Sequence, residues 1–242
     1  MQNLNARYDL HNHTSWSDGK YAPEKIIEAA IEHKISVIGI TDHYNTKKCR
    51  SIEPRKLNAY IEDISELRSI YAGDIKVLCG LETHLNRFPE VFKKFDFEAT
   101  ARLDYLLFEY IEYFPAETDI ARLEETVKNI LCPVGLAHTD AAFLNSDNEK
   151  FNSLENMINF MRANDIFWEF NYGLRNSDPF DHYFSAGDNP QISAFFQALE
   201  RNGIKVSTGS DTHNFDNYMK DLERLEIADR IISKFGLKKV QF

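Results

Sequence analysis

Apolar positions along the chain alternate between two patterns. Seven short apolar runs read as strands: Tyr8 to Leu10, Ser36 to Thr41, Ile75 to Leu81, Tyr105 to Ile111, Val134 to Ala137, Ile166 to Phe170 and Ile204 to Thr208. Stretches with helical spacing lie between most of them. From Pro23 to about Lys34, Ile26, Ile27, Ala30 and Ile31 make one apolar face, and Pro23 suits a first helical turn. From Pro54 to Tyr71, Leu57, Tyr60, Ile61, Ile64, Leu67 and Ile70 do the same. Asn152 to Ala163, Gln191 to Asn202 and Asp216 to Phe235 complete the helical set. Strands separated by crossover helices pair in parallel. Seven or eight such units in one chain predict a closed or nearly closed barrel rather than an open sheet.

Length agrees with this pattern, because 242 residues is usual for a single α/β barrel and long for most other single domains. One domain over residues 1–242 is expected, with no repeat and no Gly-, Pro- or Ser-rich linker. No apolar stretch approaches the roughly 20 residues that span a bilayer, and the N-terminus does not read as a signal peptide. A cytoplasmic location is the expectation. The three cysteines, Cys49, Cys79 and Cys132, lie far apart, so neither a disulfide framework nor a zinc knuckle is expected. A net charge of -10 argues against broad binding to nucleic acid, which needs a basic face. It does not exclude an anionic substrate, since bound divalent cations reverse the local field.

The ionisable residues collect where strands end. The first strand leads into His11 and His13, with Asp18 behind them. The second ends in Asp42 and His43, the third in Glu82, the fifth in His138 with Asp140 close by, and the seventh in Asp211 and His213. In a barrel the C-terminal strand ends converge on one face, so residues nearly 200 positions apart become neighbours. Imidazole and carboxylate are ligands that Zn, Mn and Fe accept at an open catalytic site. A lone strand-end His is more often a hydrogen-bonded surface residue than a ligand. Five of the eight histidines at such positions point instead to a metal cluster. Ser210 has an Asp and a His nearby but no nucleophile elbow, and Gly209-Ser210 is not a phosphate-binding glycine loop.

Four motifs appear in order: Asp9-Leu10-His11-Asn12-His13 with Ser17-Asp18-Gly19, Ile40-Thr41-Asp42-His43, Gly80-Leu81-Glu82, and Gly209-Ser210-Asp211-Thr212-His213. Leu136-Ala137-His138 adds a fifth, shorter element. With these the chain resembles the polymerase and histidinol phosphatase (PHP) superfamily over nearly its whole length. The resemblance implies a distorted (β/α)7 TIM-like barrel and two or three divalent metal ions (Zn, Mn or Fe) at the C-terminal strand ends. It places His11, His13, Glu82 and Asp211 on one metal, Glu82 and His138 on a second, and Asp18, His43 and His213 on a third. The family usually has a further His after the fourth strand, where this chain reads Asp104-Tyr105-Leu106-Leu107-Phe108-Glu109-Tyr110-Ile111-Glu112. Glu109 is the candidate replacement, with a buried partner for an Arg, or a hydrogen-bond acceptor behind a ligand, as the alternatives. Glu112 and His84 are weaker candidates.

The segment Trp168-Glu169-Phe170-Asn171-Tyr172-Gly173-Leu174-Arg175 is similar to one in histidinol phosphatases, where the Arg contacts the substrate phosphate. Arg175 fits that role, because its planar fork matches phosphate oxygens. Glu169 and Asn171 are expected to position substrate. The stretch from Tyr172 to Pro190 has the length of a lid and carries His182 as a possible substrate contact. The expected activity is hydrolysis of a small phosphomonoester by a metal-bound hydroxide. A metal-bound water can protonate the leaving oxygen, with Asp42, Asp140 and His213 as the alternative proton donors. A nucleotide or oligonucleotide phosphoesterase and a non-catalytic metal-binding module are the competing readings.

Overall fold

The computed structural model describes residues 7–85, 88–111, 115, 119–139, 153–173, 189–215 and 218–242. Seven parallel strands form one sheet in sequence order: β1 (Tyr8–Asp9), β2 (Val37–Ile40), β3 (Lys76–His84), β4 (Tyr105–Glu109), β5 (Val134–Ala137), β6 (Phe167–Asn171) and β7 (Val206–Gly209). Helices α1 (Pro23–Glu32), α2 (Leu57–Ile70), α3 (Ile120–Asn129), α4 (Leu154–Ala163), α5 (Pro190–Arg201) and α6 (Tyr218–Lys234) fill the connections. The sheet curls into a nearly closed barrel. At its seam the Leu10 N–H donates to Thr208 O at 2.8 Å, the His13 N–H donates to Thr212 O at 2.8 Å, and Asn12 bridges Thr212. The expected (β/α)7 barrel is therefore the observed one.

Local sequence explains the helix starts. Pro23 and Pro190 occupy first turns, and the Asn189 side chain accepts from the Gln191 and Ile192 N–H groups. Ser153 caps α4 and Asp119 caps α3 in the same way. The apolar face expected on α1 is buried at Ile26, Ile27 and Ala30, and that on α2 at Leu57, Tyr60, Ile61, Ile64 and Leu67, while Ile70 is exposed. Strand β3 runs three residues beyond its expected end, to His84, and β4 stops at Glu109 rather than Ile111. Tyr110, with φ of 60°, breaks β4 there. These two changes bring Glu82, His84 and Glu109 to one rim.

Candidate metal centre

Every strand except β2, β5 and β7 carries a buried acid or imidazole within its own span, and the loops after the strands bring the rest. At the end of β1, His11 and His13 are fully buried and point the same way, as alternate residues of an extended chain must. His11 Nε2 lies 3.1 Å from His13 Nε2, 3.3 Å from Glu82 Oε1 and 3.7 Å from Asp211 Oδ1. His13 Nε2 lies 3.0 Å from Asp211 Oδ1 and 3.4 Å from Glu82 Oε2. His138, after β5, sets its Nε2 3.2 Å from both Glu82 and Asp211. On the outer side Asp18 Oδ1 stands 3.3 Å from His213 Nε2 and 3.8 Å from His43 Nε2.

Among the described residues, four groups of side chains could hold a metal ion: His13, Asp18, His43 and His213; His11, His138 and Asp211; His11, His13 and Glu82; and His43, Glu82 and Glu109. The donor chemistry fits a cation. Both Glu82 oxygens are buried without an aligned hydrogen bond, although imidazole nitrogens approach them at 2.8–3.4 Å. Glu82, Glu109, Glu169 and Asp211 are all buried, and the Lys48 ammonium pairs with Glu109. Buried carboxylates in such excess cost several kcal/mol each unless cations neutralise them. Burial, with the neighbouring His43, pushes the His13 imidazole down to about 3, which keeps its lone pair available to a metal.

Supporting contacts fix the ligands. His11 Nδ1–H donates to Glu169 Oε1 at 2.7 Å, which turns Nε2 into the cluster. His213 Nδ1–H donates to the Asp211 carbonyl at 2.9 Å and so turns its Nε2 towards Asp18. His138 and Asp211 adopt φ of 52° and 53°, a region that non-glycine residues enter at a cost, and here the cost falls on two clustered side chains.

Other expected site residues fall differently. Asp42 does not face the cluster as a proton donor. Its Oδ1 accepts from the Thr14 and Ser17 N–H groups at 2.7 and 3.0 Å and its Oδ2 from the Thr14 hydroxyl at 2.7 Å, so it clamps the loop that presents Asp18. Glu169 serves His11, and Asn171 accepts from the Gly173 N–H at 3.0 Å, shaping the chain just past β6. Glu109 does turn inward, but its Oε2 takes Lys48 Nζ at 3.1 Å. His84 packs its ring against Tyr110 at 5.1 Å and is not in any of the four groups. Glu112, Asp140, Arg175 and His182 lie outside the described residues. Lys48 and Tyr110 escaped the sequence reading. The signal was there for Lys48, since Lys47-Lys48 is a basic step just past Asp42-His43 in an acidic chain.

Residues 9–187 match the PHP domain family. The chain belongs to the PHP domain family. The DNA polymerase/3'-5' exonuclease PolX of Bacillus subtilis is 26% identical over 124 residues, 50% of this PHP chain and 21% of PolX, so the match is to about a fifth of that larger protein. Among solved structures, the histidinol phosphate phosphatase of Lactococcus lactis, complexed with zinc, L-histidinol and phosphate, superposes with a TM-score of 0.65 at 19% identity, covering 97% of this chain and 95% of that one. The metal-dependent tyrosine phosphatases of Bacillus subtilis and Streptococcus pneumoniae give 0.52 at 18% identity, covering 97% and 96%. At these identities the likeness shows the fold. No described helix is long and apolar enough to cross a membrane.

Proposed function

We propose that this PHP protein hydrolyses a small phosphomonoester with metal ions held by the strand-end cluster. His11, His13, Glu82, His138 and Asp211 would hold a central ion, and Asp18, His43 and His213 an outer one. The observation that carries this reading is the set of imidazole nitrogens aimed at the buried, hydrogen-bond-free oxygens of Glu82.

When bound, such ions supply a nucleophilic water at neutral pH and neutralise charge on phosphate oxygens. The chain's own residues do the rest. Glu169 fixes the tautomer and tilt of His11, and the Asp211 carbonyl does so for His213. Asp42 holds the Thr14–Ser17 loop against the outer group. Both nitrogens of His213 are engaged, which suits a ligand better than a proton donor, so the leaving oxygen takes its proton from water. Arg175 is assigned to the phosphate, as the resemblance of Trp168 to Arg175 implies, with His182 as a further substrate contact.

Acidic net charge supports a small ester over a long nucleic acid. Similarity to half of the chain in a polymerase/exonuclease favours the second reading, a nucleotide phosphoesterase. Phosphate release from histidinol phosphate, a phosphotyrosine peptide, mononucleotides, bisphosphorylated nucleotides and short oligonucleotides separates the two. The highest kcat/KM is expected on a small non-nucleotide monoester. Turnover confined to nucleotides would replace this reading with the second.

A further inference from the structure

We infer that the Lys48 ammonium serves as the cation of the corner bounded by His43, Glu82 and Glu109, so that the protein holds two metal ions and not three. The inference rests on the reading of the other groups as metal sites and concerns how many ions they take.

Counting lone pairs sets the number. A neutral imidazole offers one lone pair, on the nitrogen that carries no proton. His11 gives its Nδ1–H to Glu169, leaving only Nε2, so the two groups that contain His11 share one donor and collapse into a single site. His43 likewise belongs to two groups. Its Nε2 faces Asp18, and its Nδ1 lies 2.8 Å from Glu82 Oε2. If Nε2 ligates the outer ion, Nδ1 carries the proton and has no lone pair to offer. The corner with Glu109 then has no imidazole donor, only the two carboxylates Glu82 and Glu109.

A cation already stands there. Lys48 Nζ lies 3.1 Å from Glu109 Oε2 and 4.9 Å from the centre of the Tyr110 ring. A carboxylate and an aromatic face are two separate attractions for one ammonium. Tyr110 is itself held, with its ring 5.1 Å from His84 and 5.4 Å from His138. The loop that carries Lys48 is pinned at its base, where the Asn45 N–H donates to Ile52 O and the Ile52 N–H donates to His43 O. A divalent ion on Glu109 would face this ammonium across the same carboxylate, and like charges at that range repel. Lys48 thus neutralises the corner and excludes a third ion.

Titration of metal-stripped protein with Mn²⁺, reading free ion by electron paramagnetic resonance, tests this. The natural protein is expected to take two equivalents. Lys48→Met is expected to take a third, Lys48→Arg only two, and Lys48→Met with Glu109→Gln two again. Three equivalents in the natural protein, or still two in a folded Lys48→Met, would overturn the inference; the first outcome needs no variant. Uptake of no ion at all would sink the metal reading itself, which separates the two failures.

Discussion

Single residues divide into those that face the cluster and those that aim them. Glu169 belongs to the second kind, accepting from His11 Nδ1–H at 2.7 Å while fully packed inside the barrel. Glu169→Gln can still accept through its carbonyl but loses the charge, so metal affinity should fall by about 10–100-fold, in the range seen when partners of metal-bound histidines are changed. Titration of the stripped variant reads this directly, and an undiminished affinity would mean that Glu169 is only a buried acid. The ligand candidates were legible because strand order alone brings strand ends together. The roles of Asp42 and Lys48 were not. Asp42 is set by how the Thr14–Ser17 loop folds back on it, and Lys48 by the turn of the Asn45–Ile52 loop, and neither follows from hydrophobic spacing.

At the scale of elements, the seam between β7 and β1 controls the site. A Cβ at Gly209 would stand 2.4 Å from His11 Cβ and 2.7 Å from Glu169 Oε1, so the seam has no room for a side chain. Gly209→Ala should destabilise the fold by about 1–3 kcal/mol through overpacking and weaken metal binding with it, because His11 and Glu169 must both move. Urea denaturation alongside Gly73→Ala checks this: nothing lies within 4 Å of a Cβ at Gly73, and that change should leave stability nearly unaltered. Equal midpoints for the two variants would contradict the account of the seam. Most strands and helices were readable from spacing. The extension of β3 was not, because Thr83 and His84 look like loop residues although both are buried. Helix α3 was also unremarked, since only Leu123 and Val127 of its ten residues are buried, too few for a clear apolar stripe.

For the whole molecule, bound ions link function to stability. Metal that binds only the folded chain adds about 2.7 kcal/mol per ion when present at roughly 100 times its Kd. Loss of that term should lower the thermal midpoint by several degrees. A chelator is therefore expected to shift the melting curve down, and excess Zn²⁺ or Mn²⁺ to restore it; a midpoint indifferent to both would mean that the buried carboxylates are neutralised by protons instead. Barrel class and the face that carries the chemistry were visible in the order of runs and strand-end histidines. The number of ions was not, because it depends on which nitrogen of each ring carries a proton.

The most direct measurement is phosphate release from a small aromatic monoester by chelator-stripped protein, before and after metal is returned, with His13→Ala in parallel. Activity should be absent without metal and return on reloading in the natural protein. His13→Ala should recover neither its full metal content nor its turnover, because His13 Nε2 lies against both Glu82 and Asp211. Undiminished hydrolysis by the metal-free protein, or by metal-free His13→Ala, would contradict the account.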